Sequence, residues 1–324
     1  RMPEGPSPAS WNGASSSSRS SSPDLESPRT LSRDHRDRNA GREVPRPTVA
    51  GEPPGSDIWY KVTMDLRHHP NRPGGPVYFV GDAHIGTAAP AVEADKESRL
   101  LRLLDEVDER AAALVLVGDL FDFWFEYRHA IPSRGFAVLA RLHRLVQSGL
   151  PIDFLGGNHD WWAGSFLESR VGVRAHSEPI DVECQGRRLF LAHGDGLVPG
   201  DNGYRVLRRI FRNPLAIKAY RWLHPDFGIP LATHSSHSSR RHMETRPIVG
   251  PHLWQTVATP QFHRGRDAVL IGHFHLPIHI QSPGRDFIVN GDWMGHWSYS
   301  VLEGGQFTLR IWPEGRVVPP KQTT

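Results

Sequence analysis

Val77-Tyr78-Phe79-Val80-Gly81-Asp82-Ala83-His84 runs four apolar residues, without a polar break, into a glycine, a carboxylate and an imidazole. A short apolar run of β-branched and aromatic residues reads as a strand buried on both faces, as in a parallel sheet. A strand ending in a polar cluster recurs twice. A helical stretch from roughly Glu93 to Arg110 leads to an apolar strand at Ala113 to Val117 and then Gly118-Asp119-Leu120-Phe121-Asp122. A second helix near Phe136 to Ser148 leads to Ile152 to Leu155 and then Gly156-Gly157-Asn158-His159-Asp160. This β-α-β-α-β rhythm implies parallel pairing through right-handed crossovers. The three polar clusters then share the carboxyl edge of neighbouring strands, where α/β sheets place their ligands.

Beyond Asp160 the pattern changes to paired strands with turns. Ile180 to Cys184, the Gln185-Gly186 turn and Leu189 to Ala192 lead to His193-Gly194-Asp195. Ala268 to Ile271 ends in Gly272-His273-Phe274-His275. Strands are expected around Asp286 to Val289, Tyr299 to Leu302 and Gln306 to Ile311, the last two joined by Glu303-Gly304-Gly305.

Five strand ends thus carry metal-binding side chains. Asp82, His84, Asp119, Asn158, His193, His273 and His275 offer carboxylate oxygen, amide oxygen and imidazole nitrogen without thiolate. That set suits Mn²⁺, Fe²⁺, Zn²⁺ or Mg²⁺ and argues against a structural zinc knot. Two ions ~3.5–4 Å apart need a bridging carboxylate, and a hydroxide held between them can attack phosphorus in line. Singly, Asp82-x-His84 and Gly118-Asp119 are ordinary loop chemistry. Two imidazoles two residues apart at a loop entry, His273 and His275, are rarely needed for packing. Five such blocks in order, each behind an apolar strand, outweigh the reading as turns.

The remainder of the chain bounds the problem. With 324 residues and a hydrophobic fraction of 38%, it can bury a core. Residues 1–75 hold Ser15 to Ser18, Ser20 to Ser22, many prolines and the mixed-charge run Arg33 to Arg38, and are expected to be a disordered extension. They lack the apolar segment of a secretory signal, and Met64 is a candidate for the native initiator. The lone Cys184, in an alternating strand pattern, reads as a small buried hydrophobe and fits a reducing cytosol. A net charge of +3 says little about nucleic acid, and no run of 18 apolar residues exists to span a membrane.

Asp-x-His, Gly-Asp, Gly-Asn-His-Asp, His-Gly-Asp and Gly-His-x-His together resemble the calcineurin-like metallophosphoesterase superfamily. The resemblance implies an α/β (α+β) fold for residues 76–312, a β-sandwich flanked by helices with a helical cap insertion at about 197–262, leaving 313–324 as a flexible tail. It implies two divalent ions, manganese first among the metals named above. One would take Asp82, His84 and His275, the other Asn158, His193 and His273, with Asp119 as the bridge. His159 would stabilise the transition state or protonate the leaving group, held by Asp160. Within the superfamily, Gly118 to Trp124, Gly291-Asp292-Trp293 and the run from His193 through Asp201, Tyr204, Arg205 and Arg208 are similar to the UDP-2,3-diacylglucosamine hydrolases. Those enzymes cleave a nucleotide-linked lipid of lipid A biosynthesis into UMP and an acylated sugar phosphate. Asp201, Tyr204, Arg205 and Arg208 are the substrate contacts this resemblance implies. The chain departs from some of these enzymes at His159, where they carry Arg, and His234 to Arg240 has no clean counterpart in them.

The segment between His193 and His273 also bears on the substrate. Val206, Leu207, Ile210 and Phe211 fall on one helical face, with Arg205, Arg208, Arg209 and Arg212 toward the other. Such a basic amphipathic helix can rest on an anionic bilayer, or dock its apolar side on the domain with the arginines in water. The arginines can equally meet a diphosphate. The expected partners are a nucleotide-linked lipid or another phosphoester and an anionic membrane surface, not nucleic acid or an obligate protein. The expected location is cytoplasmic, at the inner face of the inner membrane. A general phosphoesterase for soluble phosphoesters or nucleotides, and a non-catalytic scaffold of the same fold, are the alternatives. His279 and His296 are left unassigned. Asp122 is open between orienting a ligand histidine and lying solvated in a turn. Trp161, Trp162, Trp293 and Trp297 are core residues by default.

Overall fold

The computed structural model describes residues 63–66, 68–199, 202–232 and 250–323. Its centre is a pair of seven-stranded sheets. The first has the order β13-β12-β11-β2-β3-β4-β5, where β2 is Val77–Val80, β3 Ala113–Leu116, β4 Ile152–Leu155, β5 Arg174–His176, β11 Ser298–Glu303, β12 Gln306–Ile311 and β13 Arg316–Val318. The second runs β1-β6-β7-β8-β10-β9-β14, with β1 Thr63–Asp65, β6 Ile180–Cys184, β7 Arg187–Ala192, β8 Ala268–Ile271, β9 Pro277–Ser282, β10 Arg285–Asn290 and β14 Lys321–Gln322. Strands β2, β3 and β4 pair in parallel, as their crossover helices require.

Alternation along each strand assigns its two faces. Val77 and Phe79 of β2 point between the sheets, meeting Leu189, Leu191, Leu270 and Ile288 from the second sheet. Tyr78 and Val80 point outward, against helices α1 (Pro90–Arg110) and α2 (Phe136–Gln147). Leu100, Leu103, Leu104 and Val107 of α1 recur at helical spacing and are buried. The outer face of the second sheet is covered by the helical run Gly250–Leu253, Trp254–Ala258 and Thr259–His263, through Leu253, Val257 and Phe262. The result is a helix–sheet–sheet–helix sandwich.

The folded chain exceeds the limits read from sequence at both ends. The first 75 residues are expected to be an appendage, yet β1 pairs in parallel with β6, Met64 opposite Val182. Leu66 and His69 are buried, and His69 N–H donates to the Ala112 carbonyl at 2.6 Å. The tail expected after residue 312 forms β13 and β14, paired to β12 and β9. These edge strands are two or three residues long and held by backbone hydrogen bonds, so they carry no hydrophobic period to read. Helix α1 begins three residues before the expected Glu93, because Pro90 sits at its first turn, where a missing N–H costs nothing.

Over the carboxyl ends of β2, β3 and β4 lies a cap of α3 (Asn202–Phe211), α4 (Pro214–Tyr220) and a helix at 225–232. Of the orientations the sequence left open, the structure departs from the docked one, in which the apolar side meets the domain and all the arginines face water. Arg208 and Arg212 turn inward, with side chains 17% and 19% exposed, onto Asp195 and Glu178. The apolar side is left facing outward or lining a cavity: Val206 is 53% and Ile210 54% exposed.

Candidate metal centre

The five polar clusters converge. β2, β3 and β4 deliver Asp82, His84, Asp119 and Asn158 from one sheet, while β7 and β8 deliver His193, His273 and His275 from the other. Among the described residues seven non-glycine positions have positive φ, and five of them are Asp82, His84, Asp119, His273 and His275, at +50°, +44°, +50°, +70° and +55°. A left-handed backbone costs an L-residue roughly 1–2 kcal/mol, so this concentration marks strain held in one place by its surroundings. Part of the holding is local. Buried Lys96 donates to the His84 carbonyl at 2.7 Å, and His273 N–H lies 3.0 and 3.1 Å from the two Asp82 carboxylate oxygens.

Two donor groups result. In the first, His84 Nε2 lies 3.2 Å from His275 Nε2, which lies 3.4 Å from Asp82 Oδ1. In the second, His193 Nε2 lies 3.1 Å from Asn158 Oδ1 and 3.2 Å from Asp119 Oδ2, and His273 joins Asp119 and His193 within 4.8 Å. Asp119 Oδ2 is also 3.6 Å from His84 Nε2, so this carboxylate stands between the groups. The spacing fits a cation: at metal–ligand distances of about 2.1 Å, neighbouring ligands sit about 3.0 Å apart in octahedral and 3.4 Å in tetrahedral geometry. Chemistry agrees. His193 Nδ1 donates to the Val117 carbonyl at 3.0 Å, so its Nε2, facing two oxygens, must carry a second proton or meet a cation.

The titration pattern has the same origin. Burial lowers the His84 and His273 imidazoles to about 4. Burial also opposes charge on His193, but Asp119 overrides it and raises His193 well above the ordinary range. Reciprocally, burial would raise Asp119, and His193 and His159 hold it well below the usual carboxylate range. Asp160 is pushed up to about 7 by burial and then by Asp119.

The role of Asp160 needs correction. It is expected to hold His159, but its Oδ1 accepts from Asp119 N–H at 3.1 Å and Gly157 N–H at 2.9 Å, and its Oδ2 from Phe121 N–H at 3.2 Å. It clamps the β3 end to the β4 end. The His159 ring is held by Asp122, whose carbonyl accepts from Nδ1 at 2.9 Å, and its Nε2 is 3.9 Å from Asp119 Oδ2.

A cavity of about 570 Å³ runs from Asn158 and His159 beneath the cap, walled by Phe123, Trp162, Leu207, Phe211 and Tyr220. Trp162 and Tyr220 stack at 5.3 Å, so Trp162 is a wall and not core. Trp161 lines the same cavity under the Arg212 guanidinium at 5.3 Å, whereas Trp293 is fully buried. Of the expected substrate contacts, Tyr204 and Arg208 line it. Arg205 does not: it is exposed and donates to the Gly196 carbonyl at 3.1 Å. Asp201 and His234 to Arg240 lie outside the described residues. Asp195 was missed although it stands in His193-Gly194-Asp195. It is buried in the cavity wall, accepting from Tyr204 Oη at 2.8 Å with Arg208 Nε at 3.6 Å. His279 binds Asp286 at 2.8 Å inside the second sheet, and His296 binds Asp292 at 2.8 Å in the turn before β11.

A convergent histidine–carboxylate–amide centre at the mouth of a two-sheet sandwich is the layout of a metal-dependent phosphoesterase. The family model described as calcineurin-like phosphoesterase matches residues 75–277, and the chain belongs to that family of metal-dependent hydrolases. Within it, the chain is similar to the UDP-2,3-diacylglucosamine hydrolase of Porphyromonas gingivalis, 34% identical with 72% of this chain and 96% of that protein covered. The enzymes of the same name from Nitrosococcus oceani (28% identical, 74% and 92% covered) and Aeromonas hydrophila (31%, 71% and 96%) are also similar.

Proposed function

We propose that the chain hydrolyses the pyrophosphate bond of UDP-2,3-diacylglucosamine, giving UMP and 2,3-diacylglucosamine 1-phosphate for lipid A biosynthesis. The observation that carries this reading is the apolar cavity of about 570 Å³ whose floor is Asn158 and His159 and whose wall carries Arg208. A soluble phosphoester has no use for such a wall, and an acylated one does. The names of the similar enzymes support the same substrate.

Asp82, His84 and His275 would hold one divalent ion, and Asn158, His193 and His273 the other, with Asp119 shared. Manganese is the ion we favour over iron, zinc or magnesium. Such ions, when bound, supply an activated water and positive charge for the phosphoryl oxygens. The chain's own residues do the rest. Because His159 Nδ1 donates to the Asp122 carbonyl, its Nε2 is the atom turned to the reacting phosphate, where it steadies charge or passes a proton to the leaving oxygen. Arg208 and Tyr204 face the cavity beside Asp195 and are placed to orient the glucosamine phosphate. Trp162, Tyr220 and the cap helices exclude water from the acyl groups.

The cap also supports contact with an anionic membrane at the inner face of the inner membrane. Leu215 is 75%, Trp222 85% and Phe227 73% exposed, and the exposed cations Arg209, Lys218 and Arg221 make no ion pair among the described residues. No helix among the described residues is long and apolar enough to cross a membrane. The test is release of UMP from UDP-2,3-diacylglucosamine by metal-loaded protein, its loss on chelation, and its abolition in Asn158→Ala at unchanged folding. Turnover of soluble phosphodiesters alone would leave a general phosphoesterase, and no turnover of any phosphoester a binding scaffold.

A further inference from the structure

The buried stripe of α1 begins with a cation. Lys96, Leu100, Leu103, Leu104 and Val107 recur at helical spacing on the buried face, and Lys96 is 2% exposed. An ammonium is almost never buried this far unless it is paired, because its hydration is lost. One of its partners is the Glu93 carboxylate at 3.1 Å, one turn earlier. Another is the His84 carbonyl, to which Nζ donates at 2.7 Å. Glu93 reaches the same loop, accepting from Gly86 N–H at 2.6 Å and from Ala88 N–H at 2.9 Å. The start of α1 therefore grips residues 84–88, and the helix is itself fixed in the core through Leu100, Leu103, Leu104 and Val107. Neither Lys96 nor Glu93 lines the expected substrate cavity.

What this grip holds is strained. His84 has φ +44°, a left-handed conformation that an L-residue keeps only when its surroundings impose it. The peptide that follows it is fixed from two sides. Its N–H, that of Ile85, donates to the Leu120 carbonyl at 2.9 Å, and its carbonyl, that of His84, accepts from Lys96. In this conformation the ring presents Nε2 to His275 and Asp119 at 3.2 and 3.6 Å. Without the donor from α1, one side of that peptide is released and the turn can relax. An arriving ion must then restore it. We propose that Lys96, with Glu93, is a positioning residue of the metal centre: it fixes the strained backbone of His84 from behind and so preorganises the ion site of Asp82, His84 and His275. The site of Asn158, His193 and His273 does not depend on it.

This inference rests on the two-ion reading above. Metal-free wild type, Lys96→Met, the double variant Lys96→Met with Glu93→Gln, His275→Ala and Asn158→Ala would each be titrated with Mn²⁺ by calorimetry, with the thermal midpoint as the folding check. Lys96→Met keeps the apolar stem and removes the donor, and the double variant leaves no unpaired charge behind. Both are expected to weaken the ion that His275→Ala loses by about 5–30-fold, the factor equivalent to the strain of one left-handed residue. Both should leave the ion that Asn158→Ala loses within threefold of wild type. Leu101→Ala is the control for destabilisation of α1 alone: Leu101 packs against the core from the same helix and should bind both ions as wild type does when truncated. Wild-type affinity for both ions in folded Lys96→Met, equal weakening of both, or the same selective loss in Leu101→Ala would each overturn the proposal. Failure of both Lys96 variants to fold would also overturn it, since the pair would then serve folding. Wild type that takes up fewer than two ions would instead defeat the reading on which it rests.

Discussion

Gly157→Ala is expected to disable the centre while leaving every expected ligand in the sequence. A Cβ built on Gly157 would lie 2.1 Å from Asp119 Oδ1, 2.5 Å from Asp119 N and 2.8 Å from Asp119 Cγ. Ordinary contact begins at 3.4 Å, so the β4 end and Asp119 must part by about 1.3 Å. Neither side can yield alone. Asp160 Oδ1 binds both Gly157 N–H and Asp119 N–H, and His159 N–H donates to Asp119 Oδ1 at 2.9 Å. Relief breaks at least one of these buried bonds, which costs about 1–3 kcal/mol. It also moves the expected bridging carboxylate about 1 Å from His193, a displacement worth about 100-fold in rate. Uptake of Mn²⁺ by elemental analysis, UMP release and the thermal midpoint would be measured beside Gly284→Ala. At Gly284 nothing lies within 4 Å and φ is +72°, so alanine there should cost about 1 kcal/mol of stability and no activity. Gly157→Ala protein with two bound ions and a rate within threefold of wild type would refute the crowding argument.

In the metal-free protein His84 and His273 remain neutral down to about 4, while the unfolded chain protonates them near 6.5, so stability falls as pH drops from 6.5 to 4, by about 3 kcal/mol for each. Asp160, pushed up to about 7, works the other way and offsets about half; His193 and His275, both raised, contribute fully throughout this window. Urea unfolding of chelator-treated protein should show a net loss of about 3 kcal/mol, and a flat profile would contradict it. Trp222→Ser combined with Phe227→Ser should lower partition onto anionic vesicles about 100-fold without changing Mn²⁺ uptake, taking about 1.5 kcal/mol for each buried ring. Unchanged sedimentation with vesicles would remove the cap from the membrane. Tyr204→Phe deletes the 2.8 Å bond to Asp195 and should raise KM for the lipid substrate more than it lowers kcat, with about 1 kcal/mol of stability lost. An unaltered KM would exclude Tyr204 as a substrate contact.

The parallel strands β2, β3 and β4 were legible because β2 and β3 are each four consecutive apolar residues, β4 is apolar at three of its four, and all three have a polar cluster at the carboxyl end. A strand buried on both faces imposes that run locally, and a ligand at the strand end must follow it directly. The sequence therefore determined the central strands, their order through the first two crossovers, and the seven donor residues that the structure gathers. It could not determine which atoms face one another. Asp160 follows His159 in sequence but is spent on the backbone of Asp119, Phe121 and Gly157, while Asp122, 37 residues away, holds the His159 ring. Whether the basic helix α3 turns its arginines or its apolar side inward depends on Glu178 and Asp195, which belong to other segments and meet it only in the folded chain. Strand and donor identity are properties of consecutive residues. Orientation, crowding at Gly157 and the pairing of edge strands are set by contacts across the fold, so only the tertiary structure decided them.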